Sequence, residues 1–477
     1  MSDHDDGRPA TAQRTDAERD LELGGPRRVG LVSLGCPKNR VDAELMLARL
    51  RAEGHELVDD PQQADAIIVN TCAFIDEAKE ESIEAILEAS QWLEGREDGK
   101  LVVTGCLAQR HAPDIADDLP EVSAFVPLGE VGLVPKAVTG TAPRIPELPE
   151  RYGATFLDDA TAARVLTSAP GSAYLKISEG CDHQCSFCAI PAMRGRHRSR
   201  PVDDLVAEAT TLAGQGVREV VLVAQDSSAY GHDRQEREGL SRLLTGLDGV
   251  DGLDWVRVMY AYPNTLSEKT LRAMAELPSV CRYLDMPLQH ASRRVLKDMA
   301  RGGSRDHLRR QLERARELVP GLVLRTTFIV GFPGETEDDV AELIGFIEEV
   351  EFDHLGVFTY SQQDGTTAHP LGDTVSEEEK AARRDAVMEA QAPISKRLNE
   401  ARVGQELEVL VEGVHPESEH LLVGRWWGQA PDVDGTVILT DGHAEPGTLA
   451  RVLIEEAHEY DLVGRIVGPA ADAPEGS

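Results

Sequence analysis

The sequence predicts a multidomain α/β protein. It reads as an N-terminal open parallel α/β sheet, a central partial (β/α)6 barrel and a small β-barrel at the end. Three observations predict this. Apolar runs alternate with helical patterns over the first 142 residues, as in open parallel sheets. Six further strand candidates separated by helices follow. The last 70 residues or so carry five short apolar alternations split by glycine turns. A chain of 477 residues is too long for one ordinary domain.

The opening segment, MSDHDDGRPATAQRTDAERD, is acidic and polar. It has no apolar h-region, so residues 1–26 are expected to be a disordered tail rather than a secretory signal. The first folded block is expected over 27–142, with strands at Val29–Leu34, Ala66–Val69 and Leu101–Val103. Helical patterns lie around Arg40–Glu53 and Ile75–Leu93. Residues 143–166 are rich in proline and charge and read as a linker. The second block is expected over 167–397, with strands at Ala173–Ile177, Glu219–Val223, Trp255–Met259, Tyr283–Met286, Val323–Val330 and His354–Thr359. The terminal β-barrel is expected over 399–469 and a second disordered tail over 470–477. No run of 18 or more apolar residues occurs, so no membrane span is expected.

Acidic residues number 84 against 49 basic, a formal net charge of −35. Such a chain repels nucleic acid unless a basic patch intervenes, so direct nucleic-acid binding is not expected. A basic protein partner or plain solubility accounts for the charge more simply. The seven cysteines are odd in number, and without an export signal they do not suggest a disulfide framework. Metal binding or chemistry in a reducing, cytoplasmic compartment is the better account.

VGLVSLGC, AIIVNTC and LVVTGC end at Cys36, Cys72 and Cys106. Each cysteine stands at the carboxyl end of a predicted parallel strand, the edge where ligands sit in such sheets. Three thiols 36 and 34 residues apart can therefore converge. The bland alternative is that one or two are core thiols. Cys181-Asp-His-Gln-Cys185-Ser-Phe-Cys188 is a C-x3-C-x2-C loop directly after the first barrel strand. Three thiolates there can ligate three irons of a cubane and leave the fourth open. Structural zinc, completed by His183 or His197, is the sober alternative.

The C-x3-C-x-aromatic-C loop, with Phe187 in the aromatic slot, resembles the radical S-adenosylmethionine (SAM) superfamily. The resemblance implies a [4Fe–4S] cluster on Cys181, Cys185 and Cys188, whose open iron takes the amino and carboxylate groups of SAM. Together with a three-cysteine N-terminal domain and a small terminal β-barrel, the chain resembles a methylthiotransferase over almost all of 27–469. That similarity implies a second [4Fe–4S] cluster on Cys36, Cys72 and Cys106 and a TRAM-like terminal module. LVSLGCPKNRVDAE, GCDHQCSFCAIPAMRGRHRSR and APDVDG are most similar to the RimO branch. That branch methylthiolates an aspartate of ribosomal protein uS12. The tRNA-directed branch typically carries V-V-P-Y-T-R-G where this chain has Ala189-Ile190-Pro191-Ala192-Met193-Arg194-Gly195.

The implied chemistry uses one SAM as methyl donor to a sulfur on the first triad's cluster. A second SAM serves as the source of a radical that takes hydrogen from the aspartate β-carbon. The partners implied are uS12, free or on the small subunit, an electron donor such as flavodoxin or ferredoxin, and a sulfur source. The alternatives are a tRNA adenosine methylthiotransferase and, more remotely, a zinc-stabilised scaffold without catalysis. Charge favours the protein substrate. From Ser395 onward there are six basic and sixteen acidic residues, a net of −10, where an RNA-gripping barrel carries a basic groove.

Beyond the cysteines no catalytic residue is assigned. Gln225 and Asp226 follow the second barrel strand and are candidate SAM or substrate contacts, or strand-end caps. Arg325 is a candidate for the SAM carboxylate or a cluster-bound anion, or a structural ion pair. Thr336 with Asp339 reads as a helix N-cap. His290 reads as a family-like motif residue or a structural histidine. Trp426 and Trp427 are candidate partner anchors or barrel packing. Cys281 is expected to be a core thiol.

Overall fold

The computed structural model describes residues 25–96, 98–146 and 164–470. The tails expected over 1–26 and 470–477 lie outside them except for residues 25, 26 and 470, and the linker expected over 143–166 except for 143–146 and 164–166.

The first sheet is parallel throughout, in the order β2-β1-β3-β4-β5. Its strands are β1 (Arg28–Ser33), β2 (Glu56–Leu57), β3 (Ala66–Thr71), β4 (Lys100–Gly105) and β5 (Ala124–Val126). The central β3 is buried along its whole length, which is why AIIVNT reads as a continuous rather than alternating run. The edge strands β2 and β5, two and three residues long, were not expected. Strands so short carry no readable period. Helix α1 (Pro37–Ala52) follows β1, α2 (Asp76–Trp92) follows β3 and α3 (Cys106–Ile115) follows β4.

The central region opens with β6 (Ser172–Lys176). A short antiparallel pair, β7 (Ser178–Glu179) and β8 (Arg198–Ser199), comes next and ties off the cysteine loop at its base. Then come β9 (Glu219–Val223), β10 (Trp255–Val258), β11 (Val280–Asp285), β12 (Val323–Val330) and β13 (His354–Thr359). The six long strands pair in parallel in the order β6-β9-β10-β11-β12-β13, and β6 and β13 do not pair, so the barrel is partial. Alternate residues face opposite ways. Leu175, Leu222, Val256, Leu284 and Leu324 pack under the helices, while Tyr174, Val221, Trp255 and Tyr283 face the lumen.

The terminal strands β14 (Glu406–His415), β15 (Ser418–Trp426), β16 (Val437–Leu439), β17 (Leu449–Ala457) and β18 (Leu462–Pro469) close into a barrel, as the glycine-split alternations predict. This barrel docks against the lumen of the central one. The stretch from Arg425 to Asp434 reaches a side chain from every long strand of the central sheet. Asp432 accepts from the Tyr174 hydroxyl (2.7 Å), and Arg425 pairs with Glu219 (2.6 Å). Arg257 donates to the Trp427 carbonyl (2.8 Å), and Asp434 accepts from the Tyr283 hydroxyl (2.6 Å). Arg325 pairs with Asp434 (3.2 Å), and His354 Nε2 contacts the Gly428 carbonyl (2.8 Å). The tryptophans are part of this joint. Trp426 is buried in the shared core, and Trp427, half-buried, packs against it. The barrel-packing alternative is the one the structure bears out.

Candidate functional site

The first triad is built by strand ends that are stitched together. Asn39, in the first turn of α1, donates to the carbonyls of Thr71 (2.8 Å) and Leu34 (3.3 Å). Asn70 returns a bond to the Asn39 carbonyl (2.8 Å), and the Thr71 hydroxyl donates to the Thr104 carbonyl (2.5 Å). The carboxyl ends of β1, β3 and β4 are thus drawn to one point. Cys36 caps the N-terminus of α1 and Cys106 opens α3. Gly35 and Gly105 precede them with φ of +86° and +92°, the left-handed region that glycine enters without strain. A Cβ on Gly35 would stand 2.9 Å from the Cys72 Cβ and 3.3 Å from its Sγ, so the cradle closes around the thiols.

The three sulfurs act on one another electrostatically, and Cys72 and Cys106 are each held up in pKa first by burial and then by the neighbouring cysteines. Burial pushes Cys106 to about 12. Cys36 differs. Burial would raise its thiol, but Lys38, Arg194 and the helix-end amides outweigh it and lower the pKa.

The second triad lies on the loop between β7 and β8. Gly180, at φ +80°, turns the chain into Cys181, and a Cβ there would meet the Arg196 carbonyl at 2.2 Å. The loop is pinned by backbone bonds from Cys181 to Gly195 (3.1 Å) and from Ser186 to Met299 (3.0 Å). Phe187 packs against Val295, Met299, Phe332, Tyr360 and Ala368. Burial, with Asp226 and Cys185 adding to it, lifts Cys181 to about 11; burial, with Cys185 and Cys181 adding to it, lifts Cys188 to about 12. Arg301 donates toward the Cys185 sulfur (3.6 Å) and stacks over the Tyr262 ring (4.2 Å).

The donor sets suit iron–sulfur clusters better than zinc. Among the described residues no three His, Cys, Asp or Glu side chains are grouped to hold a single metal ion. A cubane asks for something different, since its three protein thiolates each bind a separate iron. Buried thiols with raised pKa need a strong Lewis acid to become thiolates, and a cluster supplies one. Both histidines that could complete a zinc site have Nε2 engaged, and His197 Nδ1 is buried without a partner among the described residues. His183 pairs with Asp226 (2.6 Å) and stacks on Tyr262 (3.9 Å). His197 contacts Ser199 (3.1 Å).

Between the triads lies a buried charge cluster. Arg194 donates to both Glu179 oxygens (2.9 and 3.0 Å), to Asn39 (2.5 Å) and toward the Cys106 sulfur (3.7 Å). Lys176 bonds Asp42 (2.5 Å) and Glu179 (3.1 Å). Burial would raise the Glu179 pKa, but Arg194 and Lys176 outweigh it and hold the carboxyl well below its usual range. Lys38 sits over the Tyr260 ring (3.8 Å) and donates to the Ala224 carbonyl (3.2 Å). Tyr260 is itself at φ +62°, uncommon for a non-glycine residue, with its amide held by Asp285 (3.0 Å). The sequence reading missed Lys38, Glu179, Arg194, Tyr260 and Arg301. A signal existed for two of them, because Glu179 and Arg194 flank the cysteine loop.

Gln225 donates to Glu179 (3.0 Å) at the edge of this cluster, and its buried Oε1 has no hydrogen-bond partner among the described residues. Asp226 spends its oxygens on the Ser228 and Ala229 amides and on His183, so it acts as a strand-end cap. Arg325 is ion-paired with Asp285 (2.9 Å) and Asp434 (3.2 Å). Asp339 accepts from the Thr336 amide, the cap expected. His290 is fully buried, its Nδ1 accepting from two backbone amides and its Nε2 facing Glu335 (3.2 Å), a structural role. Cys281 lies in the core beneath the terminal barrel, where burial pushes its thiol to about 12.

Three family models match the chain. Residues 28–127 match Uncharacterized protein family UPF0004, 175–347 the Radical SAM superfamily and 403–467 the TRAM domain. A protein of Anaeromyxobacter sp. (strain K), named ribosomal protein uS12 methylthiotransferase RimO, is 50% identical over 441 residues, 92% of this chain and 93% of the relative. Proteins of the same name are 46% identical in Myxococcus xanthus (94% of this chain, 93% of the relative) and 44% identical in Geobacter sulfurreducens (92% and 98%). In fold, the chain is similar to the radical SAM methyltransferase TsrM from Kitasatospora setae, solved with cobalamin and a [4Fe–4S] cluster. The TM-score is 0.54 at 15% identity, over 72% of this chain and 77% of that one.

Proposed function

The chain belongs to the RimO family of ribosomal protein uS12 methylthiotransferases, and from that premise we propose that it replaces a hydrogen on the β-carbon of a uS12 aspartate with a methylthio group. It is a radical SAM enzyme, with SAM and an iron–sulfur cluster as cofactors. We assign that cluster to Cys181, Cys185 and Cys188, and a second [4Fe–4S] cluster to Cys36, Cys72 and Cys106. The division read from the sequence, 27–142, 167–397 and 399–469, serves as the working set of domains.

The observation that supports the reading is the placement of six cysteines in two sets of three, one following β1, β3 and β4 of the first parallel sheet and one on the loop between β7 and β8. A β C–H bond is neither acidic nor activated, so no side-chain base can open it. When bound, the clusters and SAM supply the radical and the sulfur. The protein's own residues hold and shield these groups. Arg301 and Arg194 each aim a guanidinium at one triad. Gln225 offers a buried oxygen, unpartnered among the described residues, that would accept from the SAM ammonium. Arg325, fixed by two carboxylates, sits deeper in the lumen as the candidate for an anionic group.

The net charge of −10 from Ser395 onward suits a basic ribosomal protein and works against RNA. Among the described residues no helix is long and apolar enough to cross a membrane. A ribosomal substrate implies work in the cytoplasm, with a flavodoxin- or ferredoxin-like electron donor and a separate sulfur source.

The test offers uS12 and bulk tRNA side by side to anaerobically reconstituted protein with SAM and reductant. Mass spectrometry should find a gain of about 46 Da, methylthio for hydrogen, on an aspartate of uS12. The gain should vanish when Cys36 or Cys181 is changed to alanine. Gain on tRNA alone would overturn the substrate and leave the enzyme class standing.

A further inference from the structure

Arg194 does not belong to the fold segment it serves. It lies on helix α4 (Ile190–Arg194), just after the barrel's cysteine loop, yet its guanidinium points into the first triad. Its Nη2 stands 3.7 Å from the Cys106 sulfur, and all three cysteines of that triad feel its charge. It is buried, with little water to screen it. On its other side Nη1 donates to the Glu179 carboxylate, 2.9 and 3.0 Å from its two oxygens, and Asp42 stands 3.6 Å away. The cation near the sulfur is therefore partly cancelled by a carboxylate held on the far side. At the barrel triad, Arg301 stands 3.6 Å from Cys185 with no carboxylate partner among the described residues. One triad has a balanced cation, the other an unbalanced one.

We infer that Arg194 sets the reduction potential of the cluster assigned to Cys36, Cys72 and Cys106, with Glu179 as its counterweight. The inference rests on that cluster assignment. One-electron reduction adds negative charge to a group already carrying three thiolates. A guanidinium hydrogen-bonded to a ligating sulfur stabilises the reduced form and raises the potential, and hydrogen bonds to cluster sulfurs are a general means of tuning it. A carboxylate behind the guanidinium lowers the potential by opposing it. The two residues should therefore act with opposite sign. A merely structural salt bridge predicts no such pattern, because losing either partner would loosen the site in the same way.

The test uses the full chain with Cys181, Cys185 and Cys188 changed to alanine, so that only the first triad can hold iron. After anaerobic reconstitution, iron is counted, and the midpoint potential is read by potentiometric titration with electron paramagnetic resonance detection. R194Q is expected to shift the midpoint to more negative potential. E179Q, which keeps shape and loses charge, is expected to shift it to more positive potential. R194K keeps the charge and is expected to stay nearer the parent than R194Q. If R194Q does not fold, E179Q and R194K decide the question. Unmoved potentials in both E179Q and R194Q, or shifts of the same sign, overturn the inference while leaving the cluster in place. For E179Q alone, an unmoved or negative shift does so. No iron on the parent of the series overturns the cluster assignment itself, and the inference with it.

Discussion

Glu219 begins β9, where a carboxylate in an apolar strand would ordinarily be out of place. It is fully buried and held by Arg257 (2.7 Å) from the next strand and Arg425 (2.6 Å) from the terminal barrel. Burial raises its pKa, yet the two arginines outweigh that and bring it down to about 2 from an ordinary 4.5. The sign of the pH dependence follows. The lowered pKa contributes stability that is fully present above about pH 4.5 and is lost as pH falls toward 2. E219Q leaves the buried Arg257 without its carboxylate and Arg425 with Glu412 alone, and should cost about 3–5 kcal/mol at neutral pH. Denaturant unfolding of E219Q and the parent at several pH values checks this, and the gap should narrow from pH 5 downward. A gap that stays constant with pH would show that the carboxylate's charge is not what matters.

At the scale of the element, the same device appears three times: strand, left-handed glycine, cysteine. Gly35, Gly105 and Gly180 each free the chain to turn so that the following thiol leaves the strand line and faces its partners. Gly105 is the tightest case in the first sheet, because a Cβ there would stand 2.3 Å from the Thr71 carbonyl oxygen and 2.7 Å from Asn70 Oδ1. G105A must therefore move β3 or β4 and disperse the triad. The expected result is loss of about half the iron in reconstituted protein, with the barrel cluster retained. The cost in stability should exceed the roughly 1 kcal/mol of an ordinary glycine exchange. Full iron content in folded G105A would show that the turn does not position Cys106. Helix α1 makes a related point. Its Lys38, Asp42 and Glu44 look like a solvated face in sequence, but the helix is sandwiched between the first sheet and β6. Asp42 is buried against Lys176 and Arg194, Glu44 against Arg164, and Lys38 against the Tyr260 ring and the Ala224 carbonyl.

At the scale of the whole molecule, the terminal barrel is a stopper for the central one rather than an appended module. Its segment 425–434 meets residues of all six long barrel strands, and the two share one apolar core through Trp426, Val409, Val437, Tyr174, Val221 and Tyr283. Removing residues 403–477 would uncover Glu219, Arg257, Tyr283 and Arg325 together with that core. The truncated chain should lose cooperative unfolding and become protease-sensitive within 164–402. Limited proteolysis and a thermal scan check this. A truncated chain as resistant as the full one would mean that the joint contributes little.

Much of this was legible beforehand because it is local. Parallel strands announce themselves as apolar runs, the terminal strands as alternations, and the cysteine loop by spacing alone. Thiols at successive strand ends can be placed on one edge without coordinates, since parallel strands share that edge. Gln225 could likewise be set at the barrel mouth by counting from β9. What the sequence could not provide was the meeting of distant charges. Asp434 lies 109 residues from Arg325, and Arg194 lies 155 from Asn39. A charged side chain looks the same in sequence whether water or a buried counter-ion will satisfy it. The chain alone determined its long strands, its thiol stations and its family. Only the tertiary structure decided that α1 would be buried on both sides, that the terminal barrel would plug the central one, and that an arginine from one triad's loop would serve the other. Those outcomes depend on how whole faces dock, and burial is what makes each such charge demand its partner.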